Sequence, residues 1–354
     1  MRLRDVVQRT GLNRTTAFRI LCTLELEQMI DRLGDDGYRT KIKISRAQKF
    51  RIAYASQTEG DFFSRDVSEG LRSTANENGI DLIEFDNMYS PERAIKNASK
   101  MVQAKPDVAI VYQPYERVAP VVSSIFRQAN IPLIAVSIPH PDSVYLGVNG
   151  YSVGRVAGTA LAKWIRSNWN SEIDAILLLE ATMAGAVPHS RLTGVLTAIQ
   201  ESIGGIPDHK VKHWDGRGTF GSSLREVQKY LHGSRAQRVV IAGVNDASAI
   251  GGLRAFAEAG RLSHCITVSL GCSYAARMEL RRANTRLLGS VAFFPEKYGA
   301  RLIRLATDLF HGNSVSPATF TPHRLITSET VDRYYPNDVL MSDSDMELLL
   351  LRAL

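Results

Sequence analysis

The first residues along the chain that could bind another molecule are arginines and threonines with helical spacing. They lie in TGLNRTTAFRILCTLE, residues 10–25, in which Gly11 provides a turn and Asn13 a helix cap. Guanidinium and short hydroxyl groups on one helix can contact phosphates and base edges in a major groove. The groups concerned are those of Arg14, Thr15, Thr16 and Arg19. An amphipathic helix at the edge of a larger fold would carry similar residues, so this stretch alone leaves both interpretations open.

Basic residues are concentrated in the same part of the chain. The sequence has 43 Lys and Arg against 36 Asp and Glu, a net charge of +7, and its first 50 residues contain 11 basic and 6 acidic residues. A basic segment on a nearly neutral body indicates a polyanion as the partner of that segment. A solvated N-terminal arm would carry the same charge, and the count does not separate the two interpretations.

Hydrophobic spacing predicts two helices and a hairpin in this basic segment. Leu3, Val6 and Val7 share one helical face, and a second apolar stripe follows at three- and four-residue spacing, formed by Ala17, Ile20, Leu21 and Leu24. The stretch MIDRLGDDGYRTKIKI then predicts two strands joined by an Asp-Asp-Gly turn. Arg39 and Lys41 lie on the second of these strands.

Together, TGLNRTTAFRILCTLE and DGYR resemble the winged helix-turn-helix of IclR-type regulators. Such domains have a further helix before LRDVVQRTGL that has no counterpart here, so residues 1–44 are expected to form this domain in shortened form. The resemblance implies a double-stranded DNA operator as the partner, contacted by Arg14, Thr15, Thr16, Arg19, Arg39 and Lys41. A vestigial or dimerising helix pair is the alternative.

Composition narrows the class of protein. The hydrophobic fraction of 44% and the charged fraction of 22% are typical of globular domains, and 354 residues are enough for two or three of them. No apolar stretch is long enough to span a membrane, and MRLRDVVQRT lacks the apolar core of a signal peptide. The three cysteines have no metal-ligand spacing. These features predict a cytoplasmic protein with no membrane partner and no metal or other cofactor.

Beyond a short polar linker, residues 45–49, the pattern changes to alternating strands and helices. Short apolar segments such as IDLIEFD, DVAIVYQ, DAILLLE and RVVIAG predict strands, and amphipathic stretches between them predict helices. Strands that are apolar throughout are typical of parallel sheets covered on both faces. Two such sets, on either side of residue 150, predict an α/β protein made of two doubly wound parallel-sheet lobes.

Ligands of open parallel sheets bind beyond the carboxyl ends of the strands. The loops at these positions are rich in aromatic and small polar residues. None contains a paired carboxylate, a His and Cys cluster, or a nucleophile beside a base. An enzyme is therefore not expected.

Four motifs in order resemble the type I periplasmic binding-protein fold of ribose-type binding proteins and LacI/GalR sensor domains: TEGDFFSRDVSEGLRSTANENGIDL, ANIPLIAV, GVNGYSVGRVAG and AGVNDASAIGGLRAFAEAGR. The resemblance implies one sensor domain over residues 50–354 with crossovers near residues 150, 289 and 317. Lobe 1 would comprise about 50–150 and 290–316, and lobe 2 about 151–288 and 318–354. A small molecule, a sugar or a sugar-like compound, would lie between them.

The same resemblance implies the ligand-contacting residues. Phe62 and Phe63 would stack on the ligand, although Phe62 could instead cap the core of its lobe. Arg191 would clamp the ligand from a loop, although it could also be an ordinary surface arginine. Asn245 and Asp246 would form hydrogen bonds with the ligand, and Asp246 would in addition cap a helix. Charged positions of the sugar-binding relatives are replaced here by Ser137, Gly271 and Phe293. The ligand is then less polar than a pentose or is bound by other residues, such as Tyr112, Gln113, His140, Asn149 and His189.

Three functions from different classes remain. A ligand-responsive transcriptional regulator, a homodimer of the LacI type, fits the basic head and the two-lobed body best. The alternative is a solute-binding protein of a transport system with no DNA-binding role. The third, an enzyme on the same scaffold, has no catalytic constellation to support it.

Overall fold

The structure is a computed structural model that describes residues 2–26, 30–34, 37–40 and 50–340. It divides into two compact units, Met1–Lys49 and Phe50–Leu354, which are described separately. The predicted linker at 45–49 and a terminal helix expected from DSDMELLLLRAL lie outside the described residues.

The N-terminal unit contains two helices and a two-stranded antiparallel hairpin. Its elements are α1 (Leu3–Thr10), α2 (Arg14–Leu26), β1 (Ile30–Leu33) and β2 (Gly37–Thr40). Gly11 ends α1 with a φ of +67°, and the side-chain oxygen of Asn13 accepts a hydrogen bond from the Thr16 amide, 2.8 Å away. Leu21, Ile30 and Tyr38 form its small core.

The helix α2 buries a narrower stripe than its sequence predicts. Ala17 and Leu21 are buried, whereas Ile20, predicted in the same stripe, is 44% exposed. The predicted DNA-contacting side chains of α2 are all exposed, namely Arg14, Thr15, Thr16 and Arg19. The side chain of Arg39 and the whole of Lys41 lie outside the described residues.

The second unit begins with a six-stranded parallel sheet and its helices, here called lobe 1. Along the sheet the strand order is β13-β7-β6-β5-β3-β4. The elements are β3 (Arg51–Ser56), α3 (Phe62–Glu77), β4 (Asp81–Asp86), α4 (Pro91–Gln103), β5 (Val108–Tyr112), α5 (Ala119–Gln128), β6 (Leu133–Val136), β7 (Val144–Gly147), α11 (Tyr298–Phe310) and β13 (Ala318–Phe320).

Lobe 2 repeats this plan with the order β14-β12-β11-β10-β8-β9, in which only β14 is antiparallel to its neighbour. Its elements are α6 (Gly150–Trp169), β8 (Ala175–Glu180), α7 (Ala186–Ile203), β9 (Val211–Asp215), α8 (Phe220–Gly233), β10 (Val239–Gly243), α9 (Asp246–Glu258), β11 (Cys265–Gly271), α10 (Tyr274–Leu280), β12 (Leu287–Ala292), β14 (Arg324–Ile326) and α12 (Val331–Tyr334).

The chain crosses between the lobes three times. The first crossover follows β7 and agrees with the position expected from the sequence. The second lies after β12, because that strand pairs with β11 in lobe 2. The third lies after β13, because that strand pairs with β7 in lobe 1. The expected positions, near 289 and 317, are within about three residues of the ends of these two strands. The strand Ala318–Phe320, expected in lobe 2, belongs to lobe 1, because backbone pairing, which the sequence pattern does not reveal, joins it to β7.

The central strands of both sheets are buried on their two faces, which explains why these strands are apolar throughout. Successive residues of β5, such as Ile110 and Val111, belong to cores on opposite sides of the sheet. Lobe 2 has the same two-sided arrangement around Val240 and Ile241. The predicted two-lobed α/β architecture is confirmed. Among the described helices, none has the length and apolar character needed to traverse a bilayer.

Candidate functional site

A cavity of about 140 Å³ lies between the lobes, where the carboxyl ends of both sets of strands meet. This is where a ligand of an open parallel sheet is expected. Of the residues predicted to bind a ligand, those that line the cavity are Phe63, Ser137, Arg191, Asn245, Asp246, Gly271 and Phe293. Phe62 and His189 do not line it.

Aromatic rings form one wall of the cavity. The ring of Phe63 packs edge-on against those of Tyr112, Phe293 and Tyr298, with centroid distances of 6.2, 6.1 and 5.8 Å. Phe63 and Phe293 belong to different lobes, so the wall crosses the cleft. Aromatic faces that are fixed in this way can stack on the apolar face of a sugar ring.

The neighbouring Phe62 contacts the other lobe outside the cavity. Its ring lies 5.4 Å from that of Tyr274 in α10, and the guanidinium of Arg65 lies over it at 5.1 Å. Phe62 therefore neither stacks on a cavity ligand nor caps the lobe core; it takes part in an interlobe contact.

Arg191 lies on α7 rather than in a preceding loop, because that helix begins at Ala186. Its Nη1 donates to the Val244 carbonyl oxygen at 3.1 Å, and its guanidinium lies 5.1 Å from the centre of the Phe293 ring. Its Nε is buried without a hydrogen-bond partner in the described structure. Burial lowers the pKa of Arg191. The guanidinium is thus a positioned cation with an unused donor.

Asn245 and Asp246 have roles that differ from the predicted ones. The cap of α9 is Asn245, whose Oδ1 accepts from the Ser248 amide at 2.9 Å and whose Nδ2 donates to the Gly218 carbonyl oxygen at 2.8 Å. The expectation that Asp246 caps the helix is wrong, because Asp246 is already inside the first turn.

The carboxylate of Asp246 is buried, and both of its oxygens accept hydrogen bonds from other groups of the protein. One oxygen accepts from the Ser273 amide and the other from the Ser290 hydroxyl, each at 2.7 Å. At Gly271, where φ is +129°, an added Cβ would lie 2.8 Å from the Asp246 Oδ2. The glycine therefore leaves room for this carboxylate at the edge of the cavity.

Among the polar cavity residues that were not predicted from the sequence are Gln57, Asp61, Tyr89 and Arg217. The Gln57 amide donates to the Tyr89 hydroxyl. Asp61 caps α3 by accepting from the Ser64 amide at 3.0 Å, and burial raises the pKa of this carboxyl. Three of the four follow the carboxyl ends of β3, β4 and β9 closely, so a uniform inspection of strand ends would have found them.

The remaining polar candidates lie away from the cavity, apart from Tyr112. Gln113 contacts the His140 Nε2 at 3.3 Å, and the His140 Nδ1 donates to the Ile138 carbonyl oxygen at 2.9 Å. Burial lowers the pKa of His140 to about 4. Asn149 caps α6, and the Nδ1 of His189 lies 3.7 Å from the Glu180 carboxylate.

These features define a class of protein: two α/β lobes joined by three crossovers around a cavity with an aromatic wall and a fixed cation. The part of the chain that the structure describes contains no group of three His, Cys, Asp or Glu side chains able to hold a metal. The family model described as "Periplasmic binding protein domain" matches residues 52–314. The chain belongs to this family.

Solved structures show the same fold over nearly their whole length. A protein from Mycobacterium smegmatis in complex with β-D-fucofuranose is 20% identical, with a TM-score of 0.71 and coverage of 86% of this chain and 97% of that one. An ABC transporter periplasmic solute-binding protein from Actinobacillus succinogenes with bound D-allose is 18% identical, with a TM-score of 0.69 and coverage of 81% and 100%.

A third similar structure is the periplasmic binding component of an arabinose ABC transporter from a Shewanella species, bound to L-arabinofuranose. It is 17% identical, with a TM-score of 0.69 and coverage of 84% of this chain and 97% of that one. At such identities the likeness establishes the fold. No curated protein sequence matches the chain.

The comparisons correct the predicted function. The prediction of a cytoplasmic LacI-type transcriptional regulator with a double-stranded DNA operator as its partner is wrong, because the family match and the similar structures are those of periplasmic solute-binding proteins. The prediction of a DNA-binding role was based in part on the basic N-terminal segment, but net charge does not identify a partner. The predicted homodimer was inferred from the regulator family and from the symmetry of operator DNA, and it loses both bases. The alternative, a solute-binding protein of a transport system, is supported better.

Proposed function

We propose that the chain is a solute-binding protein that encloses one small polyhydroxylated molecule between its lobes and serves a transport system. The observation that carries this proposal is the cavity itself, in which Phe63 of lobe 1 and Phe293 of lobe 2 meet edge-on beside the unpaired donor of Arg191. An apolar wall combined with a few fixed polar groups is the usual composition of a small-molecule site.

The cavity volume limits the size of the solute. About 140 Å³ is close to the roughly 150 Å³ that accommodates a single six-membered ring in an engineered protein cavity. The sugars bound by the similar structures, fucofuranose, allose and arabinofuranose, are also single rings. These two observations support a monosaccharide-sized solute and weigh against an oligosaccharide.

Binding of one solute per chain tests the proposal. We expect isothermal titration calorimetry with a panel of neutral and acidic monosaccharides to find at least one with a Kd in the range of roughly 10 μM or tighter, near −7 kcal/mol. The Phe63→Ala variant should weaken this binding. Phe320→Ala, which removes an exposed ring of the same lobe outside the cavity, should not. Absence of binding across the panel would reject the proposed function.

We further propose, from its two helices followed by a hairpin, that the N-terminal unit has a winged helix-turn-helix fold without a DNA-binding role. The domain limits of 1–44, 45–49 and 50–354 remain part of this proposal. Limited proteolysis would support them if it cuts first within 45–49 and leaves a stable fragment, and would contradict them if it cuts first elsewhere.

A further inference from the structure

Two arginines from separate elements line the cavity. Arg191 extends from α7, and Arg217 follows β9. Among the described residues, neither guanidinium forms an ion pair within 4.0 Å, although the charge of Arg217 helps to lower the pKa of Asp215 and that of Asp246 acts on Arg191. The Arg191 Nε is buried without a hydrogen-bond partner, whereas Arg217 is exposed at the cavity edge. A buried cation without a counterion is costly, and a ligand that supplies the counterion to Arg191 recovers that cost.

Among the described residues, the carboxyls that line the cavity, Asp61 and Asp246, form no ion pair with these two arginines. Asp246 directs its two oxygens to Ser273 and Ser290. Burial and, to a smaller extent, the nearby charge of Asp246 raise the pKa of Asp61, which favours its neutral form. The two carboxyls that line the cavity are thus hydrogen-bonded within the protein, Asp61 to the Ser64 amide and Asp246 to Ser273 and Ser290, whereas the Arg191 Nε has no partner.

The structure fixes the guanidinium of Arg191 and the backbone of Arg217. The Arg191 guanidinium is held between the Val244 carbonyl and the Phe293 ring. Arg217 adopts a φ of +53°, which is unusual for a residue other than glycine, and its amide donates to the Asp215 Oδ1 at 3.0 Å. Strained backbone of this kind is concentrated at ligand-binding positions. The adjacent carbonyl of Gly218 is bonded to Asn245, so the loop is anchored to the cavity edge.

We propose that the solute is a sugar acid, a single-ring polyhydroxylated monocarboxylate whose carboxylate is bound by Arg191 and Arg217. This rests on the proposed function and narrows its solute class. A carboxylate adds little volume to a sugar ring, which suits a cavity of about 140 Å³, and the planar guanidinium matches it geometrically. A phosphate ester would add a larger group with two charges.

Matched pairs of compounds test the charge preference directly. We expect the full chain at pH 7.5 to bind D-galacturonate or D-glucuronate at least tenfold more tightly than D-galactose or D-glucose, with an affinity that falls as salt rises. Neutral sugars that bind as tightly as the uronates would overturn the sugar-acid assignment and leave the proposed function intact. Preference for D-glucose 6-phosphate would overturn the carboxylate assignment. Absence of binding by every compound would reject both proposals.

Substitutions test which residues cause the preference for a carboxylate over the neutral parent sugar. Arg191→Gln and Arg217→Asn should each reduce uronate affinity at least tenfold and change affinity for the neutral parent sugar by much less; asparagine tolerates the backbone conformation of Arg217. The matched control is Arg225→Gln, which removes an exposed charge from α8 of the same lobe outside the cavity and should leave both affinities unchanged. Thermal unfolding without ligand verifies that each variant is folded. Equal losses for acid and neutral sugar would contradict the carboxylate role.

Discussion

Glu116 of lobe 1 accepts a hydrogen bond from the backbone amide of Ala186, the first residue of α7 in lobe 2, with an Oε1–N distance of 3.2 Å. The first amides of a helix have no partner within the helix and carry a partial positive charge, so a carboxylate is favoured there. Gly185 precedes them with a φ of +78°, and a Cβ at this position would overlap the Glu116 carboxylate. The lobes are thus joined at a point that does not line the cavity.

This relationship predicts that Gly185→Ala weakens solute binding without touching the solute. The new methyl group would displace Glu116, and the loss of roughly 1 kcal/mol of interlobe interaction lowers affinity about fivefold. Small-angle X-ray scattering should show a larger radius of gyration. Glu116→Gln should act in the same direction but less strongly, because it keeps an acceptor. Gly205→Ala is the control, since its Cβ would meet no atom within 4 Å. Unchanged affinity and scattering in Gly185→Ala would contradict the prediction.

A second prediction concerns the buried Ser290, which links two cavity elements. Its hydroxyl donates to Asp246 and accepts from the Cys272 amide, 2.9 Å away. Ser290→Ala leaves that amide and one carboxylate oxygen without a partner, so we expect a loss of about 2 kcal/mol in the free energy of unfolding. Urea denaturation measures this loss.

The control for Ser290 is Ser269 on the neighbouring strand β11. It is equally buried, but its hydroxyl has no partner among the described residues. Ser269→Ala should therefore be nearly neutral or stabilising. Similar losses for the two variants would show that cavity formation, and not hydrogen bonding, determines the effect at Ser290.

The architecture was predictable because the strands of a parallel sheet covered on both faces are apolar throughout. The segments DVAIVYQ and RVVIAG predict such strands from their own composition, whatever strands lie beside them in the sheet. The three-residue strand Ala318–Phe320 gives no such signal, since only its pairing with β7 places it in lobe 1. This strand was assigned to the wrong lobe for this reason.

The site was predictable only as far as strand ends and the family resemblance identify it. Phe62 and Phe63 are equivalent by composition, yet successive residues of a helix differ by about 100° in direction, and only Phe63 lines the cavity. Arg217 was missed because the loops expected at the cavity did not include the one that follows β9, a strand of mixed polarity. Strand ends identify the loops that can reach the cleft, but which side chains line the cavity depends on the way the two lobes meet.

The last prediction concerns pH and the buried His140. Its pKa is lowered to about 4 in the folded chain, against an ordinary value near 6.5 in the unfolded chain. Between these values the unfolded chain binds a proton that the folded chain does not. The stabilisation by neutral His140 is therefore complete above about pH 6.5 and is lost as the pH falls toward 4. Burial raises the pKa of Asp66 to about 7, so its contribution to stability increases as the pH falls, opposite to that of His140. The stability of the unsubstituted chain as a function of pH therefore contains both effects.

A comparison with His140→Gln, which cannot titrate, isolates the effect. Between pH 7.5 and 4.5 we expect the unsubstituted chain to lose about 2 kcal/mol more of its unfolding free energy than this variant, measured by urea denaturation. His311→Gln, which replaces an exposed histidine at the end of α11, should follow the unsubstituted chain at both pH values. Only a pKa that changes on folding makes the stability difference between His140→Gln and the unsubstituted chain depend on pH. If this difference is the same at both pH values, His140 titrates alike in the folded and unfolded states, and the prediction is contradicted.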